Sequence, residues 1–218
     1  MRAPPYPHVL FDLDGTLIDS APAILASFAD AFARCGIEPV RPIDENIIGP
    51  PLLETLALLC GNHQSSRVEA LAEAFKASYD STGYRATEAY AGVADMLASL
   101  NDAGCRLAIA TNKRIHPTRL ILEHLGWSPC FAAVYALDLF ATRLADKPAM
   151  IARLLADHGI DRADAVYVGD REEDGLAADA NGLPFFAATW GYGSLPHEQL
   201  KHGWRAAADP AELLRLLT

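Results

Sequence analysis

The chain has 218 residues, 51% of them hydrophobic and 21% charged, a composition typical of a globular protein with one core and room for a smaller module. Its formal net charge of −10 argues against a nucleic-acid backbone or an anionic membrane as the main partner. Four widely spaced cysteines form no C-x-x-C pair and indicate neither a zinc site nor a disulfide framework. Without an apolar leader or a membrane-length apolar run, we expect a cytoplasmic protein, either a monomer or a homodimer.

The first predicted strand, Val9 to Leu13, brings two carboxylates to its end, Asp12 and Asp14, and is followed by Gly15. Because a strand has a period of two residues, both acids point to one side at its carboxyl end, where open α/β sheets bind ligands. Acids this close require a cation, a shared proton or a division into a nucleophile and an acid. A bivalent metal fits best.

A long segment with helical periodicity follows, far longer than a simple crossover between strands. Asp19 or Ser20 can cap its first helix, which continues from Pro22. Further helices are predicted over Leu52 to Leu59 and Val68 to Tyr79. The excess length predicts a second domain, so that the chain divides into a helical domain at residues 19–86 and a core domain at residues 1–18 and 87–218.

Short apolar runs and helical patterns alternate through the rest of the chain, which is the signature of βαβ units and a parallel sheet. The predicted strands cover residues 106–110, 133–135, 165–168 and 184–187. Thr111 and Asp170 directly follow two of these strands. We therefore expect both residues to meet Asp12 at one edge of the sheet.

Four short motifs follow one another as they do in the haloacid dehalogenase-like superfamily of phosphotransferases, which this sequence resembles. They are Asp12-Leu13-Asp14-Gly15-Thr16, Ile109-Ala110-Thr111-Asn112-Lys113, Asp146-Lys147-Pro148 and Val168-Gly169-Asp170-Arg171-Glu172-Glu173-Asp174. Each motif alone is weak evidence, but four in order are strong evidence. The resemblance covers essentially the whole chain and implies an α/β fold, a Rossmann-like parallel sheet core with an inserted all-helical cap domain.

The resemblance also implies a role for each motif residue in the hydrolysis of a phosphate monoester. Asp12 would be the nucleophile that forms an aspartyl-phosphate, and Asp14 the general acid and base, with its backbone carbonyl on the metal. Thr111 and the amide of Asn112 would donate hydrogen bonds to the transferring phosphoryl group. Lys147 would neutralise both Asp12 and the phosphate.

Asp170 and Asp174 are four residues apart, a spacing that in a helix places both on one face, able to hold a hard cation directly or through water. They join Asp12 and Asp14 as predicted metal ligands, and carboxylates with water suit Mg²⁺. The alternative for Asp174 is an ordinary acid in a first helical turn. Arg171 stands where the family usually has a small residue, and we expect it to narrow the pocket or to contact phosphate.

The cap is expected to choose the substrate. Ile48-Gly49-Pro50-Pro51-Leu52 resembles the cap loop that faces the active site, and Gly49 would let its backbone approach a ligand. Five basic residues are weaker candidates for binding a substrate carboxylate, since isolated surface charges are usually only solvated: Arg41, His63, Arg67, Lys76 and Arg85.

The sequence thus predicts a Mg²⁺-dependent phosphatase of a small phosphorylated metabolite, most like the phosphoglycolate phosphatase group. Its markers are Tyr90-Ala91-Gly92-Val93, Thr111-Asn112-Lys113 and Thr189-Trp190-Gly191-Tyr192-Gly193. Nucleotide monophosphates, pyrophosphate and sugar phosphates remain open as substrates, and a phosphomutase of the β-phosphoglucomutase type would share the core residues. The rival from another class is a binding protein without turnover, against which the intact set of motif residues argues.

Overall fold

A parallel sheet forms the centre of the protein, whose computed structural model describes residues 4–61, 65–193, 195 and 200–218. Its strands are β1 (His8–Phe11), β4 (Arg106–Thr111), β5 (Phe131–Ala136), β6 (Ala165–Gly169), β7 (Phe185–Ala188) and β8 (Arg205–Ala207); β2 (Ile18–Asp19) and β3 (Glu88–Ala89) form a separate antiparallel pair. The spatial order is β5-β4-β1-β6-β7-β8, with β1 between β4 and β6. Five of these strands were predicted, with ends that differ by at most two residues.

Helices cover both faces of the sheet and also form a group of their own. They are α1 (Ala21–Cys35), α2 (Leu52–Cys60), α3 (Ser65–Tyr79), α4 (Val93–Asp102), α5 (Ile115–His124), α6 (Lys147–His158), α7 (Glu172–Ala180) and α8 (Pro210–Leu217). Among the described residues, none of them is long and apolar enough to cross a membrane.

The central strand shows why the sheet is buried on both sides. Val9 and Phe11 pack with α4, α5 and α8 on one face, whereas Leu10 packs with α6 and α7 on the other. Because strand residues alternate between faces, a continuous apolar run such as this one suits a strand that is covered twice. The predicted α/β class is confirmed.

The helices α1, α2 and α3 have an apolar core of their own, to which Phe28, Leu56 and Phe75 belong. The chain reaches this group through β2 and returns from it through β3, and the two strands pair over two residues each. At the start of α1, the Asp19 carboxylate accepts a hydrogen bond from the Ala21 amide (3.2 Å). The helical group is therefore inserted between β1 and β4 and joins the core at neighbouring points.

Candidate active site

Three neighbouring strands end at polar residues that meet at one edge of the sheet. Asp12 follows β1, Thr111 is the last residue of β4, and Asp170 follows β6. The Asp12 amide donates to the carbonyl of Val168 (2.8 Å), which extends the pairing of β1 with β6 to the edge. All three polar side chains are buried, so the sheet holds a polar cluster out of bulk water.

Asp12, Asp170 and Asp174 form a compact group of carboxylates, with one oxygen of each within 4.8 Å of the others. Burial, together with the neighbouring Asp174 charge, raises the pKa of Asp12 and of Asp170, while the charge of Lys147 acts in the opposite direction on Asp12. The ionised carboxylates are therefore costly in the folded protein. A hard bivalent cation with oxygen ligands fits this donor set and would remove that cost.

Asp170 and Asp174 come together for a reason other than the predicted shared helical face. Asp170 lies between the end of β6 and the start of α7, whereas Asp174 lies in the first turn of that helix. The Arg171 amide donates to the Asp174 carboxylate (3.1 Å), which folds the turn back on itself. The turn between β6 and α7 therefore brings the two carboxylates together. The prediction that Asp170 shares a helical face with Asp174 was wrong, because Asp170 lies before the helix.

Lys147 is the fixed cation of the cluster. It begins α6, where the Asp146 carboxylate accepts the Ala149 amide (2.8 Å) and so caps the helix. Its Nζ lies 3.0 Å from Asp12 Oδ1 and donates to Asp174 at 2.5 Å. Burial alone would lower the pKa of Lys147, but the charges of Asp12 and Asp174 raise it well above its usual value. The ammonium group therefore stays charged beside Asp12.

The Asp14 carboxylate has partners different from those of Asp12. Ser20 Oγ donates to it, and Lys113 Nζ lies 2.9 and 3.2 Å from its two oxygens. Burial would lower the pKa of Lys113, but the Asp14 charge raises it to about 12. Lys113 Nζ also lies 4.7 Å from the ring centre of Tyr79 in α3. The only metal contact predicted for Asp14 is through its backbone carbonyl.

Thr111 and Asn112 have distinct surroundings. Thr111 Oγ1 accepts the Lys113 amide (3.2 Å), so its hydroxyl hydrogen can point to a phosphoryl oxygen. The Asn112 side chain donates to the carbonyl of Gly49 (3.2 Å), which links the core to the loop before α2. Asn112 therefore contacts the helical group with its side chain, while its predicted phosphate contact uses the backbone amide.

Gly49 and Arg171 fit against each other. Gly49 has φ +120°, and a Cβ placed there would lie 2.7 Å from Arg171 Nε. A Cβ on Gly193 would lie 2.6 Å from Arg171 Cγ, and Arg171 Nη2 lies 3.5 Å from the carbonyl of Glu45. The Arg171 side chain thus runs between two glycines toward residues 45–49. The missing side chain at Gly49 makes room for Arg171, a reason that the sequence did not indicate.

Residues 190–193 pack against the residues of the site. The sequence analysis identified them only as a marker of the family. Trp190 Nε1 donates to the carbonyl of Thr16 (3.0 Å), and the Gly193 amide donates to Asp170 Oδ2 (2.9 Å). A Cβ on Gly191 would lie 2.0 Å from the carbonyl oxygen of Gly15. The Gly-x-Gly pattern was the available signal, because such close backbone contact excludes a side chain.

Of the five weaker candidates, His63 lies outside the described residues. None of the other four lines the cleft next to Asp14 that the described residues form. Lys76 pairs with Glu73 (2.8 Å), and Arg85 Nε donates to the Tyr84 hydroxyl (3.3 Å). A cation that the sequence did not single out does line this cleft: Arg114, which is paired with Asp80 of the helical group (2.7 Å).

The carboxylate cluster and Lys147 lie at the carboxyl edge of a parallel sheet, next to an inserted helical group. This arrangement is typical of α/β hydrolases that act on phosphoryl groups. The chain belongs to the haloacid dehalogenase-like hydrolase family, which residues 9–188 match. It is 33% identical to a 5'-nucleotidase of Pseudomonas aeruginosa, over 97% of this chain and 96% of the relative. It is 37% identical to a phosphoglycolate phosphatase of Xanthomonas campestris pv. campestris, over 84% and 83%.

A solved structure shows the same fold. The crystal structure of a predicted phosphatase from Clostridium acetobutylicum superposes with a TM-score of 0.86 and is 30% identical, covering 97% of each chain. The resemblance drawn from the four motifs is therefore confirmed at the level of the family. The relatives carry different substrate names, so the family does not decide the substrate of this chain.

Proposed function

We propose that the protein hydrolyses the phosphate monoester of a small metabolite, with Mg²⁺, through an aspartyl-phosphate on Asp12. The observation that carries this proposal is the contact of buried Asp12 with Lys147, inside a carboxylate cluster with Asp170 and Asp174. A nucleophilic carboxylate can approach an anionic phosphate only where positive charge offsets the repulsion. This cluster supplies one fixed cation and the ligands for a second.

Asp12, Asp170 and Asp174 would hold Mg²⁺ together with the backbone carbonyl of Asp14, and the bound ion would supply positive charge next to the phosphoryl group. In the first step an Asp12 oxygen bonds to phosphorus, the bond from phosphorus to the alcohol oxygen breaks, and Asp14 gives that oxygen a proton. In the second step Asp14 takes a proton from water, whose oxygen bonds to phosphorus and releases phosphate from Asp12. Lys147 stays charged throughout.

We further propose that residues 19–86 act as the cap, and that residues 1–18 and 87–218 form the catalytic core. The helical group contributes Ile48, Gly49 and Tyr79 to the cleft beside Asp14, so it contacts the alcohol part of a substrate. Phosphoglycolate and 5'-nucleotides, after which the relatives are named, are the first substrates to test. A mutase of the β-phosphoglucomutase type would use the same core residues but would release no phosphate.

The test is rapid quenching of the enzyme with a ³²P-labelled monoester and Mg²⁺. We expect label on the protein within one turnover, release of inorganic phosphate, and loss of both in Asp12→Asn. The acyl phosphate would be cleaved by hydroxylamine. A phosphoenzyme accumulates when its hydrolysis is slower than its formation. Under that condition, release of phosphate without any labelled protein would contradict the covalent intermediate.

A further inference from the structure

A cleft opens beside Asp14, between the core and the helical group. The core side contributes Asn112, Lys113 and Arg114, which follow β4. The opposite wall is mostly apolar and comes from α1, α3, the segment before α2 and the first residue of α2: Ile24, Phe28, Ile48, Leu52, Phe75 and Tyr79. Since Asp14 is the proposed acid for the departing oxygen, the alcohol of the substrate would lie in this cleft.

Three aromatic rings form a continuous part of the apolar wall. The ring centres of Phe28 and Phe75 are 4.6 Å apart, and those of Phe75 and Tyr79 are 5.3 Å apart with an interplanar angle of 18°. The Tyr79 hydroxyl is buried and makes no hydrogen bond of normal geometry among the described residues, but it interacts with the Lys113 ammonium group. The wall thus offers apolar and aromatic surface to the alcohol part of a substrate.

The charged residues that line the cleft are already paired within the protein. Lys113 is bound to Asp14 (2.9 Å), and Arg114 is bound to Asp80 (2.7 Å), with side chains that are at most 19% exposed. A carboxylate on the alcohol would meet only cations whose charge Asp14 and Asp80 already offset. It would therefore lose its hydration in exchange for a weakened attraction, which is costly in a cleft with a mostly apolar wall.

We propose that this cleft selects phosphate monoesters of uncharged alcohols with an apolar or aromatic face and disfavours alcohols that carry a carboxylate. The proposal rests on the proposed function and names the substrate class of the same site. Phosphoglycolate, whose alcohol carries a carboxylate, is therefore a poor substrate. The apolar wall recognises the alcohol by contact, and the core recognises only the phosphoryl group.

The experiment compares three monoesters that all leave as alkoxides: 2-phosphoglycolate, 2-hydroxyethyl phosphate and benzyl phosphate. The first two differ only in a carboxylate against a hydroxymethyl group, and the third adds an aromatic ring. With Mg²⁺ present, kcat/KM should be about tenfold or more higher for 2-hydroxyethyl phosphate than for 2-phosphoglycolate, and benzyl phosphate should equal or exceed the former. A wild-type enzyme that prefers 2-phosphoglycolate would overturn the proposal.

Asp80→Asn provides the matched variant, because it leaves Arg114 in the cleft without its counter-charge. It should raise kcat/KM for 2-phosphoglycolate relative to 2-hydroxyethyl phosphate. Asp30→Asn, which removes the exposed pair with Arg34 elsewhere in the helical group, should leave the ratio unchanged. Equal shifts in both variants would contradict the role of Arg114, and if Asp80→Asn does not fold, the wild-type ranking decides.

Hydrolysis of p-nitrophenyl phosphate separates this proposal from the proposed function. Its Mg²⁺-dependent hydrolysis together with a preference for 2-phosphoglycolate would overturn the cleft preference alone. Absence of hydrolysis of all four esters by the folded wild-type enzyme would overturn the phosphatase mechanism and the preference with it.

Discussion

Asp12 and Asp14 are two residues apart, yet their carboxylates lie in different surroundings. Asp12 contacts Lys147 within the carboxylate cluster, whereas Asp14 is bound by Ser20 and Lys113 on the side of the cleft. Different environments let two identical side chains take different chemical roles. The proposed division into a nucleophile and an acid can therefore be tested by changing each residue alone.

Asp14→Asn should separate the two steps of the reaction. A nitrophenolate leaves without a proton, but an alkoxide needs one, so the variant should still form phosphoenzyme from p-nitrophenyl phosphate and hardly any from an alkyl phosphate. Water attack would lack its base. Stopped-flow absorbance should show a burst of about one equivalent of nitrophenolate, followed by a stall. Equal slowing on both substrates, with no burst, would make Asp14 a structural residue.

Asp170→Asn should raise stability in the absence of a metal ion. The pKa of Asp170 is raised by burial and by Asp174, so its share of the folding free energy is present at low pH and is lost as the pH rises through the folded-state pKa. In EDTA at pH 8 the thermal midpoint of the variant should rise by about 2–4 °C for each kcal/mol by which the loss of the buried Asp170 charge stabilises the folded protein. Mg²⁺ should stabilise the wild type more than the variant.

Calorimetry with and without Mg²⁺ measures both effects. Glu173→Gln is the matched control, because Glu173 is exposed in the same first turn of α7. It should leave the thermal midpoint and its Mg²⁺ shift close to those of the wild type. A variant Asp170→Asn that is less stable in EDTA and gains as much from Mg²⁺ as the wild type would remove Asp170 from the metal site.

At the scale of secondary-structure elements, one contact joins the turn after β6 to the loop before α2. Arg171 occupies the space that Gly49 and Gly193 leave open. Gly49→Ala should destabilise the protein through backbone strain at φ +120° and through contact with Arg171. Arg171→Ala should remove the contact between Arg171 and the new side chain but not the backbone strain. The effects of the two substitutions on the unfolding free energy should therefore be non-additive by about 1 kcal/mol.

Urea unfolding of the single and double variants measures this coupling. Gly36→Ala is the control, since Gly36 also has a positive φ (+63°) but a Cβ there would meet nothing within 4 Å. Its cost should simply add to that of Arg171→Ala. Additive costs for Gly49→Ala and Arg171→Ala would show that Arg171 yields freely and does not fix the loop.

The elements that the sequence predicted well are those with a strong local signal. The apolar run of β1 stops at charged residues, and α1 has a proline in its first turn and Gly36 after its end. Strand β8 has only the residues Arg205–Ala207, without an apolar alternation, so its place depends on pairing with β7. Such short strands are fixed by neighbours distant in sequence, which local patterns do not contain.

The same limit applies to the site. The order of the motifs predicted which residues belong together, because the first, second and fourth motifs lie at the ends of strands and the third begins a helix, α6. The sequence did not predict that Arg114 binds Asp80 or that Gly193 donates to Asp170. These contacts join segments that are far apart in sequence, and no residue spacing records them.

For the whole molecule, the net charge of −10 opposes the approach of a phosphate dianion. The Debye length is about 30 Å at 0.01 M salt and about 8 Å at 0.15 M. Added salt therefore weakens the repulsion between the phosphate and distant acidic residues more than its attraction to the cations beside the site. The KM for p-nitrophenyl phosphate at saturating Mg²⁺ should therefore fall as KCl rises over this range. A KM that rises steadily would show that attraction to the local cations governs encounter at all distances.

The pairing of β2 with β3 has a mechanical consequence. The two connections between the core and the helical group lie side by side, so a hinge at β2 and β3 would swing the helical group as one unit. Along such a swing, the pair of Arg114 with Asp80 and the contact of Arg171 with Gly49 would part in one movement. The free energy of this movement would then include the loss of both contacts. Weakening either contact would therefore favour the open arrangement through which a substrate enters.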